Sequence, residues 1–167
     1  MIRRRNTLLR LGALSGAASA ALAGLSGLVH SAPAHAARVY ELTRTDAEWQ
    51  KLLKPDPYRV LRQAGTERPG SSPLDKEKRP GIFSCAGCAL PLFSSATKFE
   101  SGTGWPSFWQ PMDKAVVEET DTALFMKRTE VLCRRCGGHL GHVFTDGPKP
   151  TGLRYCMNGA AMNFTAA

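Results

Sequence analysis

Residues 133–164 read CRRCGGHLGHVFTDGPKPTGLRYCMNGAAMNF, and the fold class turns on them. The stretch holds a CxxC pair (Cys133, Cys136), two histidines (His139, His142), Asp146, and an isolated Cys156 flanked by Arg154 and Asn158. Its apolar pieces are short and cut by Gly and Pro, the pattern of short strands rather than helices. If 153–158 is a strand, a period of two places Arg154, Cys156 and Asn158 on one face and Tyr155 and Met157 on the other. A guanidinium beside a thiol favours the nucleophilic thiolate, and imidazoles exchange protons near neutral pH. The run therefore predicts a cysteine nucleophile assisted by histidine. The competing reading makes Cys156 a small buried core residue.

The Cys133/Cys136 knuckle has a counterpart in Cys85-Ala-Gly-Cys88, separated from it by 44 residues. Two such knuckles offer four soft thiolates, the donor set of a closed tetrahedral zinc site. Four cysteines could instead close two disulfides, although a bridge between residues three apart constrains the unfolded chain little. His139 lies near enough to Cys136 to be considered as a ligand, but four thiolates already complete the tetrahedron. Both histidines are thus free for chemistry. Of five cysteines, Cys156 is the one left over.

The net charge of +8 divides unevenly along the 167 residues. Residues 1–36 hold Arg3, Arg4, Arg5 and Arg10 and no acid, which leaves 18 basic and 14 acidic side chains in residues 37–167. That balance does not make a nucleic-acid surface, and aromatic residues are not interleaved with basic ones as such platforms require. Residues 1–36 have the plan of an export signal: a basic start, an apolar middle from Leu11 to Val29, and Ala34-His35-Ala36 as cleavage site. Arg4-Arg5-Asn6-Thr7-Leu8 resembles a twin-arginine signal, and the Gly- and Ser-diluted middle suits that route. An uncleaved inner-membrane anchor is the alternative. The expectation is a periplasmic protein with domain 37–167 and no membrane attachment after cleavage.

Beyond the leader, Thr45-Asp46-Ala47-Glu48 predicts a capping box opening a helix with Trp49, Leu52 and Leu53. Asp56-Pro57 predicts a second, with Pro at its first position and Gly65 at its end. Residues 66–80 read as an irregular loop. Short strands follow at Ile82-Phe83, 90–93, 115–117, 124–126, Val131-Leu132, Val143-Phe144 and 153–157. The fold class is mainly β: two small antiparallel sheets with short N-terminal helices and a zinc site of four cysteines. Within Ser101-Gly-Thr-Gly-Trp105-Pro-Ser-Phe108-Trp109, Pro106 biases Trp105 toward an extended backbone that holds its ring out. Trp105 is assigned to a binding surface and Trp109 to a cap on the core.

Taken together, the knuckles, Phe99-Glu-Ser-Gly-Thr-Gly-Trp-Pro-Ser-Phe108, Gly137-Gly-His-Leu-Gly-His-Val-Phe-Thr-Asp146 and Gly152-Leu-Arg-Tyr-Cys-Met-Asn158 resemble the B-type methionine sulfoxide reductases over roughly residues 43–164. That resemblance implies one structural zinc on Cys85, Cys88, Cys133 and Cys136. It also implies reduction of the R epimer of methionine sulfoxide, in oxidised proteins or peptides, by attack of Cys156. His139, His142, Asp146, Arg154 and Asn158 would surround the nucleophile. Trp105 would receive the substrate's methyl, with Phe108 beside it in the substrate-binding set. Many members carry a resolving cysteine where this chain has Thr103, so a sulfenic acid on Cys156 would be reduced by an external thiol or thioredoxin-like partner.

Two other classes of function fit parts of the pattern. A non-catalytic zinc module would use the knuckles alone, and a redox sensor would oxidise Cys156 without turning over sulfoxide. A zinc deaminase needs an H-x-E near its metal cysteines, which is missing.

Overall fold

The computed structural model describes residues 38–122 and 127–167, in one unit, Arg38–Ala167. The leader and the expected strand at 124–126 lie outside the described residues. The capping box forms: the Thr45 hydroxyl accepts from the Glu48 N–H, and the Glu48 carboxylate accepts from the Thr45 N–H at 2.8 Å. It starts α1 (Asp46–Leu52), which buries Trp49. Helix α2 (Pro55–Gln63) begins earlier than Asp56-Pro57 suggests, because Pro55 takes a first-turn position where no N–H is needed. Its end also differs from expectation. Ala64, at φ 51°, makes the left-handed cap, and Gly65 follows it, donating its N–H to the Arg59 carbonyl.

The strands make two antiparallel sheets. The smaller has the order β2 (Pro91–Ser94), β1 (Gly81–Cys85), β9 (Met162–Ala166). The larger runs β3 (Lys98–Phe99), β4 (Ser107–Phe108), β8 (Arg154–Met157), β7 (His139–Phe144), β6 (Arg128–Cys133), β5 (Val116–Asp121). Aromatic side chains from both sheets form the core between them. Phe93 stacks on Phe108 with centroids 4.4 Å apart, and Phe83 meets Phe108 edge-on at 4.9 Å. Such burial of large rings is the main apolar contribution to stability. Phe108 is 0% exposed, so its expected place in the substrate-binding set is corrected: the two-residue strand β4 turns it inward. Trp109, expected to cap the core, is half-buried and is not among the residues packed against it.

Each knuckle follows a strand. Cys85 ends β1 and Cys133 ends β6, and each turn closes with a left-handed residue directly after its second cysteine: Ala89 at φ 58° and Gly137 at φ 67°. At Gly137 a Cβ would also run into the Tyr40 ring. The turns bring the end of β1 in one sheet to the end of β6 in the other.

Candidate active site

Strand β8 lies inside the larger sheet, between β4 and β7, and the register sets Cys156 opposite Ser107 on one side and His142 on the other. As the alternation requires, Tyr155 and Met157 are buried in the core while Arg154 and Cys156 are half-buried on the opposite face. Asn158 lies past the end of the strand and is buried. Close approach of β7 depends on Gly141, where a Cβ would collide with the Cys156 carbonyl.

Above the thiol is a cavity of about 160 Å³ lined by Cys156, His142, Trp105, Phe144, Arg128 and Asn158 among others. Its walls are mostly apolar with a few polar groups, the usual make-up of a small-molecule site. The Trp105 indole N–H donates to the Glu67 carbonyl at 3.2 Å, which fixes the ring as one wall.

The electrostatics differ from the sequence expectation. Burial pushes the Cys156 thiol above its ordinary pKa; the Thr103 hydroxyl, 3.8 Å from its sulfur, and Arg154 pull it back only in part. Arg154 is committed elsewhere, donating Nε and Nη2 to the two Asp146 oxygens at 2.9 and 2.8 Å and lying 4.5 Å over the Phe144 ring. A shared guanidinium in a desolvated cleft does not outweigh the cost of burying the sulfur's charge. Asp146 is itself exposed and reaches the thiol only through Arg154.

Both histidines are oriented by carboxylates. His142 Nε2 lies 2.9 Å from Asp121, which also accepts from Arg128 at 2.7 Å, and His139 Nδ1 lies 2.5 Å from Glu130. A carboxylate only accepts, so each imidazole donates that N–H. Burial, opposed by Asp121, holds the His142 pKa below its ordinary value, so the ring is neutral at pH 7. The two rings lie 5.4 Å apart, but it is His142 that sits across from Cys156; His139 is buried, and its Nε2 has no partner among the described residues.

Asn158 is held at both ends of its amide. Its Oδ1 accepts from the Glu67 N–H at 2.9 Å and its Nδ2 donates to the Leu140 carbonyl at 3.1 Å. Glu67, absent from the sequence reading, is therefore central. Besides its links to Asn158 and Trp105, its buried carboxylate accepts from the N–H groups of Gly159 and Ala160 at 2.5 and 2.9 Å. An acid in a polar loop carries no signal that separates it from a solvated one. Asp121 on β5 and Arg128 and Glu130 on β6 were missed because only the pairing of those strands brings them to the histidines.

The four knuckle sulfurs lie within 4.8 Å of one another, with Cys85 3.8 Å from Cys136 and Cys88 3.4 Å from Cys133. A tetrahedral metal with bonds of about 2.3 Å would space them by about 3.8 Å. All five cysteines are free, so the two-disulfide alternative is not formed. This donor set fits a metal ion that joins both knuckles, and it leaves His139 and Cys156 outside.

Comparison with known proteins follows the same lines. The profile of the SelR domain matches residues 53–166. A protein of Leptospira interrogans named peptide methionine sulfoxide reductase MsrB is 54% identical over 126 residues, covering 75% of this chain and 96% of the relative. One of the same name from Methanosarcina barkeri is 56% identical over 123 residues, 72% of this chain and 86% of its own. Another, from Thiobacillus denitrificans, is 54% identical over 122 residues, 72% and 92% of the two chains.

Proposed function

The chain belongs to the SelR-domain family, whose curated relatives are peptide methionine sulfoxide reductases, and from that membership we propose that it reduces the R epimer of methionine sulfoxide in peptide linkage, with Cys156 as nucleophile. One observation carries the assignment: Cys156, facing His142 across the β7–β8 pair, opens with Trp105 onto a single cavity.

The Cys156 thiol gives its proton to the lone pair of His142 and the sulfur attacks the sulfoxide sulfur. The S–O bond and the S–S bond formed in the attack both break as the protonated oxygen transfers to Cys156, so the products are methionine and a sulfenic acid. The sulfoxide sulfur gains two electrons and the thiol loses two. His142 returns the proton to the oxygen, Asp121 holds the ring in the required tautomer, and Arg154, fixed by Asp146, supports the negative charge at sulfur. The Trp105 face cannot hydrogen-bond an oxygen, so it accepts the methyl and helps select the epimer. His139 orients the β7 segment from within, and Asn158 holds the cavity wall. Two equivalents of an external thiol or one of a thioredoxin-like dithiol then return the sulfenic acid to thiol with loss of water. Thr103 stands beside Cys156 where a resolving cysteine would act, and the other four sulfurs are gathered at the knuckles.

Zinc is the ion proposed for Cys85, Cys88, Cys133 and Cys136, because four thiolates in a closed tetrahedron suit it. It would supply structural cross-linking and no step of the reaction. Residues 1–36 are proposed to direct export to the periplasm by the twin-arginine route; N-terminal sequencing of the exported protein should begin at Ala37.

The test is a peptide carrying both sulfoxide epimers, incubated with dithiothreitol and resolved by chromatography. Loss of R alone, abolished by Cys156→Ser with the fold intact, is expected. Turnover that survives Cys156→Ser would refute the assignment, and a folded, metal-loaded protein without turnover would point to a binding module or redox sensor.

A further inference from the structure

A file of hydroxyl groups runs away from Cys156 on the side opposite His142. The Cys156 sulfur lies 3.8 Å from Thr103 Oγ1, which lies 2.8 Å from Ser101 Oγ, which in turn lies 2.7 Å from Ser107 Oγ. The file ends where Ser107 Oγ meets the Trp105 carbonyl at 3.0 Å.

Each hydroxyl has one proton to donate. A carbonyl only accepts, so Ser107 donates to Trp105. Its proton is then used, so Ser101 must donate to Ser107, and Thr103 must donate to Ser101. The Thr103 N–H also approaches Ser101 Oγ, at 3.4 Å, and fills its second lone pair. Thr103 has no proton left for the sulfur. At Cys156 it can only accept, and what it accepts is the S–H.

We propose that Thr103, Ser101 and Ser107 form a one-way hydroxyl chain, anchored on the Trp105 carbonyl, that holds Cys156 as a thiol and must reverse before the thiolate can be hydrogen-bonded. When the thiol proton leaves for water or His142, Thr103 turns its proton to the sulfur, Ser101 turns to Thr103, and Ser107 turns to Ser101 or to the sulfur itself. The Trp105 carbonyl then loses its donor. Ionising the nucleophile is thereby coupled to the backbone of the residue that forms the substrate wall; Ser101 is a positioning residue that acts through Thr103, and Ser107 acts both through that chain and directly on the sulfur.

This deepens the proposed reading of the site, since its consequence for catalysis rests on Cys156 being the nucleophile. The charged and titratable groups around the sulfur are Arg154 on its own strand, His142 from β7, Arg128 from β6 across the cavity, and Asp146 through Arg154. None of them is altered by substitutions in the chain.

The experiment is the pH dependence of Cys156 alkylation by iodoacetamide in the metal-loaded full chain, with the modified peptide quantified by mass spectrometry so that knuckle cysteines are counted apart. It reads ionisation whether or not sulfoxide is turned over, so its failure is distinct from failure of the proposed function. Ser101→Ala frees the Thr103 proton to face the sulfur permanently, and the midpoint should fall by about one pH unit, the worth of one hydrogen bond. Thr103→Val removes the thiolate's donor, and the midpoint should rise. Ser101→Thr and Thr103→Ser keep the hydroxyls and should titrate like the parent. Should Ser101→Ala fail to fold, Ser101→Gly gives the same reading. Equal midpoints for the parent and Ser101→Ala, or shifts of the same sign in Ser101→Ala and Thr103→Val, would overturn the proposal.

Discussion

Replacing Glu67 by Ala should destabilise the protein more than any other single change in the 66–80 loop. Glu67 is 7% exposed, and its carboxylate accepts two backbone N–H groups at the start of the turn Gly159–Ala161. Hydrogen bonds to a charged acceptor contribute about 1.5–3 kcal/mol each, and of the two donors left behind Gly159 is buried and Ala160 half-buried. Losing both costs about 3–5 kcal/mol, a large part of a typical stability of about 5–15 kcal/mol. For a unit of this size each kcal/mol lowers Tm by about 4 °C, so a drop of about 12–20 °C is expected. Glu67→Gln keeps one acceptor oxygen and should lose about half as much. Guanidinium melts with unchanged slope, alongside calorimetry, give both numbers. The Glu67 backbone also holds Trp105 and Asn158, so kcat/KM should fall with stability. A Glu67→Ala protein within about 1 kcal/mol of the parent would refute the clamp.

Removing the metal with a chelator, or replacing Cys85 by Ser, should cost several kcal/mol, because binding free energy at such a site is folding free energy; metal content and Tm measured together check this. His142, held below its ordinary pKa by burial, binds a proton less readily folded than unfolded. Its contribution to stability is therefore complete above about pH 6.5 and is lost as pH falls through the lower folded value. His142→Gln should flatten that acid limb in denaturant midpoints measured across pH. Phe108→Ala should cost about 3–5 kcal/mol with little change in the KM of the folded fraction. Trp105→Ala should do the reverse, raising KM about tenfold or more with stability within about 2 kcal/mol, as a wall residue that shapes a pocket does. Equal behaviour of the two would contradict their placement.

Features written into adjacent residues were legible in the sequence: the capping box at Thr45, the knuckles, and the alternation that turns Cys156 away from Tyr155 and Met157. The same alternation, applied to Ser107-Phe108-Trp109, would have sent Ser107 toward Cys156, Phe108 into the core and Trp109 outward. Glycine, proline and serine before these residues hid the two-residue strand. The small sheet's edge strand β9 was missed because Asn163 and Thr165 dilute a pattern that only pairing with β1 completes. The sign of the thiol's shift was a different failure. A guanidinium two residues away is visible in the sequence, but the burial that opposes it and the Asp146 that shares it depend on the whole fold.

The four-cysteine cluster and Cys156, the proposed nucleophile, are connected through a very short segment of chain. Cys136 closes its turn at Gly137, β7 begins at His139, and His142 follows three residues later, opposite Cys156. A strand has a side-chain period of two, so a slip of one residue would turn His142 to the core face and bring Gly141 or Val143 opposite the thiol. Pairing with β6 alone does not prevent that, since the β6–β7 ladder is already irregular between Val131 and Leu132. Two constraints remain: the contact between Gly141 and the Cys156 backbone, which admits no Cβ, and the knuckle that holds the start of β7. A metal held by these four cysteines would set the register of the imidazole against the sulfur without touching either.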